Sequence, residues 1–159
     1  MKLDKQDLKL LKILQVDVRT SIDRLAGEVG LSVASVQRRL KRLRDSHVIA
    51  AEVAVVSPKA VGQVMTFLLS IELERDNLDC LRRFKEKIKK EPRIQQCYYV
   101  TGESDFILIV TAEDMESFDE FTQQMFFDDS NVRRYKTSVV MERTKVSLAL
   151  PLDQHEQVT

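Results

Sequence analysis

The stretch Ser21–Asp45, SIDRLAGEVGLSVASVQRRLKRLRD, decides how the rest of the chain is read. Ser21 is a good helix cap, and Ile22, Leu25, Ala26 and Val29 follow at i, i+3, i+4 and i+7, a single apolar stripe. Gly30 stands where a helix stops in a left-handed conformation. Leu31 fills the turn and Ser32 can cap the next helix. At about 100° per residue, Val36, Leu40, Leu43 and His47 share its core-facing side. Ala34, Arg38, Lys41 and Arg42 lie opposite, flanked by Ser35 and Gln37. Two helices around a glycine turn, the second with a basic outer face, form the pattern of a DNA-reading helix-turn-helix. Ser32, Ser35, Gln37 and Arg38 suit base edges, and Val33 and Ala34 suit thymine methyl groups. Arg39, Lys41, Arg42 and Arg44 suit phosphates. The plainer reading is a solvated basic face. The capped preceding helix, the short turn and the matching phase of the stripe favour the DNA reader.

Upstream, residues 4–15 (DKQDLKLLKILQ) predict a first helix capped by Asp4, with Leu8, Leu11 and Leu14 in line and Leu10 and Ile13 widening the stripe. Downstream, residues 48–57 (VIAAEVAVVS) favour an extended hinge strand, followed by a turn, PKAVG, that ends at Gly62. Residues 64–74 alternate, with Phe67, Leu69, Ile71 and Leu73 on one face. Helical spacing returns with Leu78, Leu81, Phe84 and Ile88 and ends before Pro92. Strands are expected at 94–101 and 106–112. A helix capped by Asp114 and carrying Met115, Phe118, Phe121 and Met125 follows, then a last strand over about 133–147. The order strand-helix-strand-strand-helix-strand is that of a ferredoxin-like βαββαβ sandwich. The fold class read here is therefore α+β: an N-terminal (winged) helix-turn-helix domain at 1–62, a C-terminal ferredoxin-like domain at 63–150, and a loose tail at 151–159. Two helices would cover one sheet face, and a second copy of the chain would cover the other.

The totals bound the function. Of 159 residues, 43% are hydrophobic, enough for a buried core, and 31% are charged, which argues against a membrane protein. Apolar runs such as Phe106–Val110 fall far short of the ~20 residues that span a bilayer. The net charge is zero, yet residues 1–50 carry 11 basic against 6 acidic side chains, and residues 51–159 carry 14 against 19. A basic front on an acidic body suits a double-stranded DNA partner for one half only. Cys80 and Cys97 form no CxxC pair and the chain has two histidines, so no metal site and no cofactor is expected. The start, Met-Lys-Leu-Asp, is no signal peptide, and a cytoplasmic protein with reduced thiols is expected. No glycine-rich phosphate loop or nucleophile motif appears, so an enzyme is not expected.

The turn Thr101-Gly102-Glu103-Ser104-Asp105 has two readings. It is an ordinary hairpin turn, or its backbone N–H groups hold a carboxylate while Asp105 attracts an ammonium group, as a free amino acid would require. Together the segments LDKQDLKLLKILQVD, LAGEVGLSVASVQRRLKRLRDSHVI, VSPKAVG, YYVTGESDFILIV and TSVVME resemble the Lrp/AsnC family of bacterial and archaeal transcription regulators, in order from about Leu3 to Lys145. The resemblance implies a helix-turn-helix domain joined by a hinge to a ligand-response domain. It also implies dimers formed through the sheets, higher assemblies up to an octamer, and an amino-acid effector bound between dimers. It carries the effector site to Gly102 and Asp105, to Met115, and to Ser138, Val139 and Val140. The chain departs from the family pattern at Val33, often proline, at Ser104, often aromatic, and at Ile49-Ala50-Ala51, where a glycine is common. A metabolite-binding module whose helices contact protein in place of DNA is the alternative.

Overall fold

The computed structural model describes residues 2–74, 78–127, 129 and 131–152. Two compact units form, one from the residues up to Ala54 with the segment from Lys145 onward, the other Val55–Thr144. The division falls at 54/55, ahead of the 62/63 boundary expected from the sequence. Of the expected loose tail, residues 153–159 lie outside the described residues.

The first unit holds α1 (Lys5–Leu14), α2 (Ile22–Val29) and α3 (Val33–Asp45). Each start is fixed by a local side chain. Asp4 accepts from the Asp7 backbone N–H at 2.9 Å while the Asp7 carboxylate accepts from the Asp4 N–H, a reciprocal capping box. Ser21 and Ser32 accept from the N–H groups of Arg24 and Ser35. Gly30 ends α2 at φ 67°, a conformation that disfavours any side chain with a Cβ. Leu10, Leu25, Val29, Val36, Leu40 and Leu43 form the core. On α1 the fully buried positions are Asp7 and Leu10, whereas the expected line of Leu8, Leu11 and Leu14 is only part-buried.

His47 does not join the core side of α3. The helix ends at Asp45, His47 turns to φ 55°, and the N–H groups of Val48 and Ile49 both reach back to the Leu43 carbonyl. Beyond the last helical residue the 100° step no longer applies, and the imidazole is exposed. No strand forms among the described residues of this unit, so the expected wing is absent, and the hinge at 48–57 has no strand either. An extended segment without a neighbour has no ladder for its backbone groups, and Val53 and Val55 point into solvent. From the far end of the chain, Leu150 returns to α1, where its N–H and C=O bond both ends of the Gln15 amide at 2.7 and 3.1 Å.

The second unit begins with a 3-10 turn, Lys59–Val61, closed by Gly62 at φ 80°. It then runs β1 (Met65–Leu73), α4 (Leu78–Lys90), β2 (Ile94–Tyr99), β3 (Phe106–Ala112), α5 (Met115–Thr122) and β4 (Val132–Val139). The antiparallel pairings give the order β2-β3-β1-β4, the interleaved βαββαβ topology of a ferredoxin-like sandwich. Phe67, Leu69 and Ile71 of β1 and Phe106, Leu108 and Val110 of β3 face the helices, where they meet Phe84 and Ile88 of α4 and Phe118 and Phe121 of α5. A π-helical turn, Gln123–Phe127, follows α5. Its wider step brings Phe126 edge-on to Phe121 while Met125 stays in the core. β4 stops at Val139, short of the expected 147: one more bond, from the Val140 N–H to the Thr66 carbonyl, follows, and β1 itself begins at Met65, so residues 142–147 have no neighbour to pair with among the described residues. By alternation, Leu68, Ile107, Ile109 and Tyr98 lie on the opposite sheet face, away from the helices.

Candidate functional site

The outer side of α3 is assembled by its cap. Ser32 fixes the helix start, and burial of Val36, Leu40 and Leu43 fixes its rotation. Val33, Ala34, Gln37, Arg38 and Lys41 are consequently exposed. Ser32 is exposed too, but its hydroxyl is engaged by the cap, and Ser35 is half-buried. The exposed set presents small, amide and cationic groups along one side of a helix start, the combination that base edges and phosphates require.

The basic residues divide in a way the sequence does not show. Arg39 turns inward and donates from Nη1 to Asp4 at 2.7 Å and to Asp7 at 2.8 Å. Arg42 donates from Nη2 to the other Asp7 oxygen at 2.5 Å. Arg44 forms a two-pronged pair with Glu52. Thus Arg39, Arg42 and Arg44, read from the sequence as free phosphate contacts, already hold carboxylates of their own unit. Arg38 and Lys41 make no ion pair among the described residues. The electrostatics follow. The Asp7 backbone N–H holds the Asp4 carboxyl below the usual carboxylate range, opposed by desolvation and aided by Arg39. Arg39 is pushed up by Asp4 and then Asp7, and Arg44 by Glu52. Asp7 is the residue that sequence reading missed. Its signal was present: it stands three residues before Leu10, on the line that proves most buried, in a unit rich in arginine.

The nine residues expected around an effector fall into two groups. Thr101, Gly102, Glu103, Ser104 and Asp105 form the β2–β3 turn, with Gly102 at φ 120° and open space where a Cβ would stand. Asp105 carries a structural duty there. Its N–H bonds the Ile71 carbonyl at 2.8 Å, and its Oδ2 accepts from the Leu73 N–H at 2.7 Å. The register slips between Glu72 and Leu73, where β1's pairing with β3 has run out, and the Asp105 side chain satisfies the N–H left over. One of its oxygens thus already holds a backbone N–H, and the other makes no hydrogen bond among the described residues. Met115 opens α5, 52% exposed, and does not join the apolar stripe expected for that helix. Ser138 and Val139 pair with Leu68 and Phe67, and the Val140 N–H bonds the Thr66 carbonyl. Residues 138–140 and the start of α5 thus share the Met65 end of the sheet, and the turn lies at the Leu73 end. Five residue steps along β1 separate Phe67 from Glu72, about 17 Å of strand. One chain does not bring the two groups into a single pocket.

A helix-turn-helix with a polar, cationic leading face, coupled in one chain to a ferredoxin-like sheet domain, defines the class of ligand-responsive transcription regulators. The profile of the AsnC-type helix-turn-helix domain matches residues 3–44, and that of the Lrp/AsnC ligand binding domain matches residues 66–150. The chain belongs to the Lrp/AsnC family. It is 46% identical over 153 residues to the HTH-type transcriptional regulator y4tD of Sinorhizobium fredii, covering 96% of this chain and 90% of that one. It is 30% identical over 151 residues to the DNA-binding transcriptional activator DecR of Escherichia coli, covering 95% and 99%. Among solved structures it is similar to an AsnC family regulator from Agrobacterium tumefaciens (TM-score 0.90, 31% identity, 96% and 99% covered). It is equally similar to a Neisseria meningitidis transcriptional regulator in complex with L-Met (TM-score 0.90, 29% identity, 97% and 99% covered). As a member of this family the chain is a helix-turn-helix transcription regulator with a ligand-binding domain. No helix among its described residues is long and apolar enough to cross a membrane.

Proposed function

We propose that this regulator, acting in the cytoplasm, sets α3 in the major groove of its operators. In this reading Val33, Ala34, Ser35, Gln37 and Arg38 read bases, and Arg38 and Lys41 hold phosphates. The observation that carries the reading is the capped, exposed leading face of α3 with two cations that are unpaired among the described residues. The test is binding to duplexes selected from a random pool by the wild-type protein. Replacing Arg38 and Lys41 together with Ala weakens this binding by about 1–3 kcal/mol or more, roughly tenfold to a hundredfold. Unchanged affinity at physiological salt refutes the assignment, and binding that ignores salt favours a protein partner for the helices.

The sheet-bearing domain binds an amino acid or related small metabolite and joins copies of the chain. Separation of the turn at 101–105 from Met115 and 138–140 supports a site completed by a neighbouring copy. The partly apolar sheet face around Leu68, Ile107 and Ile109 supports a homodimer that assembles further, up to an octamer. The L-Met held by the Neisseria meningitidis protein supports an amino acid as the effector class. A thermal-shift screen of free amino acids identifies it. Met115→Ala and Val139→Ala, both at exposed side chains, lose that shift and keep the unliganded melting temperature. Retention of the full shift in both removes these residues from the site.

A further inference from the structure

We propose that Asp7 is a specificity-determining residue that acts through others: it withholds Arg39 and Arg42 from the DNA phosphates, so that Arg38 and Lys41 carry the counterion exchange of α3. The inference rests on the reading of α3 as the DNA-contacting helix and deepens it.

Asp7 is 0% exposed, although it sits in the first turn of α1. Each oxygen of its carboxylate takes a guanidinium from α3, and Oδ2 also accepts the Asp4 N–H. Asp4 adds a second carboxylate on Arg39. Two carboxylates thus face two guanidiniums, and the group as a whole carries no formal charge. A buried carboxylate that lost its partners would be strongly destabilised, so the pairs persist when a phosphate approaches. Burial also protects them from the screening that weakens exposed pairs. Arg44 is matched by Glu52, across a pair more open to solvent. Of five cations on α3, only Arg38 and Lys41 remain unmatched among the described residues.

The consequence concerns specificity more than affinity. Each phosphate contact adds about 0.9 to the slope of log K against log salt and carries no sequence information. Two arginines held inside remove that much sequence-blind attraction, and a larger share of binding then depends on base edges.

The experiment measures salt slopes on two probes, a duplex selected from a random pool and a mixed-sequence duplex. The proteins are the wild type, Arg38→Ala, Arg42→Ala and Asp7→Asn, all as the full chain. Arg38→Ala flattens the slope by about 0.9 per bound copy, and Arg42→Ala leaves it unchanged. Asp7→Asn steepens the slope by up to about two contacts, roughly 1.8 per copy, and narrows the gap between selected and mixed DNA. If Arg42→Ala flattens the slope as Arg38→Ala does, the proposal is overturned and the DNA reading stands. If no substitution on α3 moves the slope, the DNA reading itself fails and the proposal with it. Should Asp7→Asn not fold, the comparison of Arg42→Ala with Arg38→Ala still decides, because Arg42 is half exposed and outside the core.

Discussion

Asp105 illustrates how a residue placed in a ligand site can first be a structural one. Its Oδ2 accepts the Leu73 N–H at 2.7 Å, at the point where β1 has outrun β3 and slips in register against β4. Asp105→Ala removes that acceptor. A hydrogen bond to a charged group contributes about 1.5–3 kcal/mol, and the lower end applies here because the site is half-buried. The sheet unit, Val55–Thr144, has the size for which 1 kcal/mol shifts the melting temperature by about 4–8 °C. The expected fall is therefore roughly 6–12 °C. Asp105→Asn keeps an oxygen acceptor and loses only the charge, so its fall is about half that or less. Calorimetry or circular dichroism without added ligand measures both. The reasoning is refuted if Asp105→Ala melts within about 2 °C of the wild type, well inside the shift calculated above. The same numbers mean that a lost effector response in Asp105→Ala must be read beside its stability.

Three further outcomes are expected. Phe67→Ala empties a fully buried position and removes a ring stacked on Phe118 at 3.6 Å between centroids, costing about 3–5 kcal/mol in denaturant titration; a loss under about 1 kcal/mol would contradict this placement of the core. Ser32→Ala deletes the α3 cap and costs the helical unit about 1 kcal/mol, and it weakens DNA binding through a frayed leading turn; equal melting and equal binding would show that the cap does neither. Acid titration tests Glu91, whose carboxyl is held below the usual carboxylate range first by the Arg93 guanidinium. A depressed carboxylate contributes fully above its unfolded value and loses that contribution as pH falls through its folded value. The stability gap between wild type and Glu91→Gln therefore closes on acidification; a constant gap rejects the pair as a source of acid sensitivity.

What the sequence made legible was local. The caps at Asp4, Ser21, Ser32 and Asp114, the stop at Gly30 and the alternation of Phe67, Leu69 and Ile71 depend on neighbours a few residues away, and the structure has them all. The misreadings involve partners far off in the chain or lacking altogether. Residues 48–57 and 140–147 have the composition of strands, but a strand exists only beside another, and β1, which begins at Met65, does not extend far enough to partner the residues beyond Met141. Arg42 lies on the outer arc of a helical wheel and Arg39 beside the core stripe, about 60° from Val36, but a wheel drawn for one helix contains no Asp7 to receive them. Met115 fits the spacing of an apolar stripe, but it precedes the first turn that packs on the sheet. For the effector residues, chain order likewise gave no warning that the sheet register sets the turn and the 138–140 segment at opposite ends.

The Asp7 clamp divides α3 into two kinds of position with different evolutionary freedom. Arg39 and Arg42 are tied to the Asp7 carboxylate, so a change at either alters a pairing with α1. Val33, Ala34, Gln37 and Arg38 have no such tie and can be rewritten one at a time without disturbing the core. A regulator built this way can acquire new target genes by small steps, keeping its scaffold while its recognised sequence drifts. For the protein engineer, the same division marks which few codons to randomise when the chain is to be redirected to a chosen promoter.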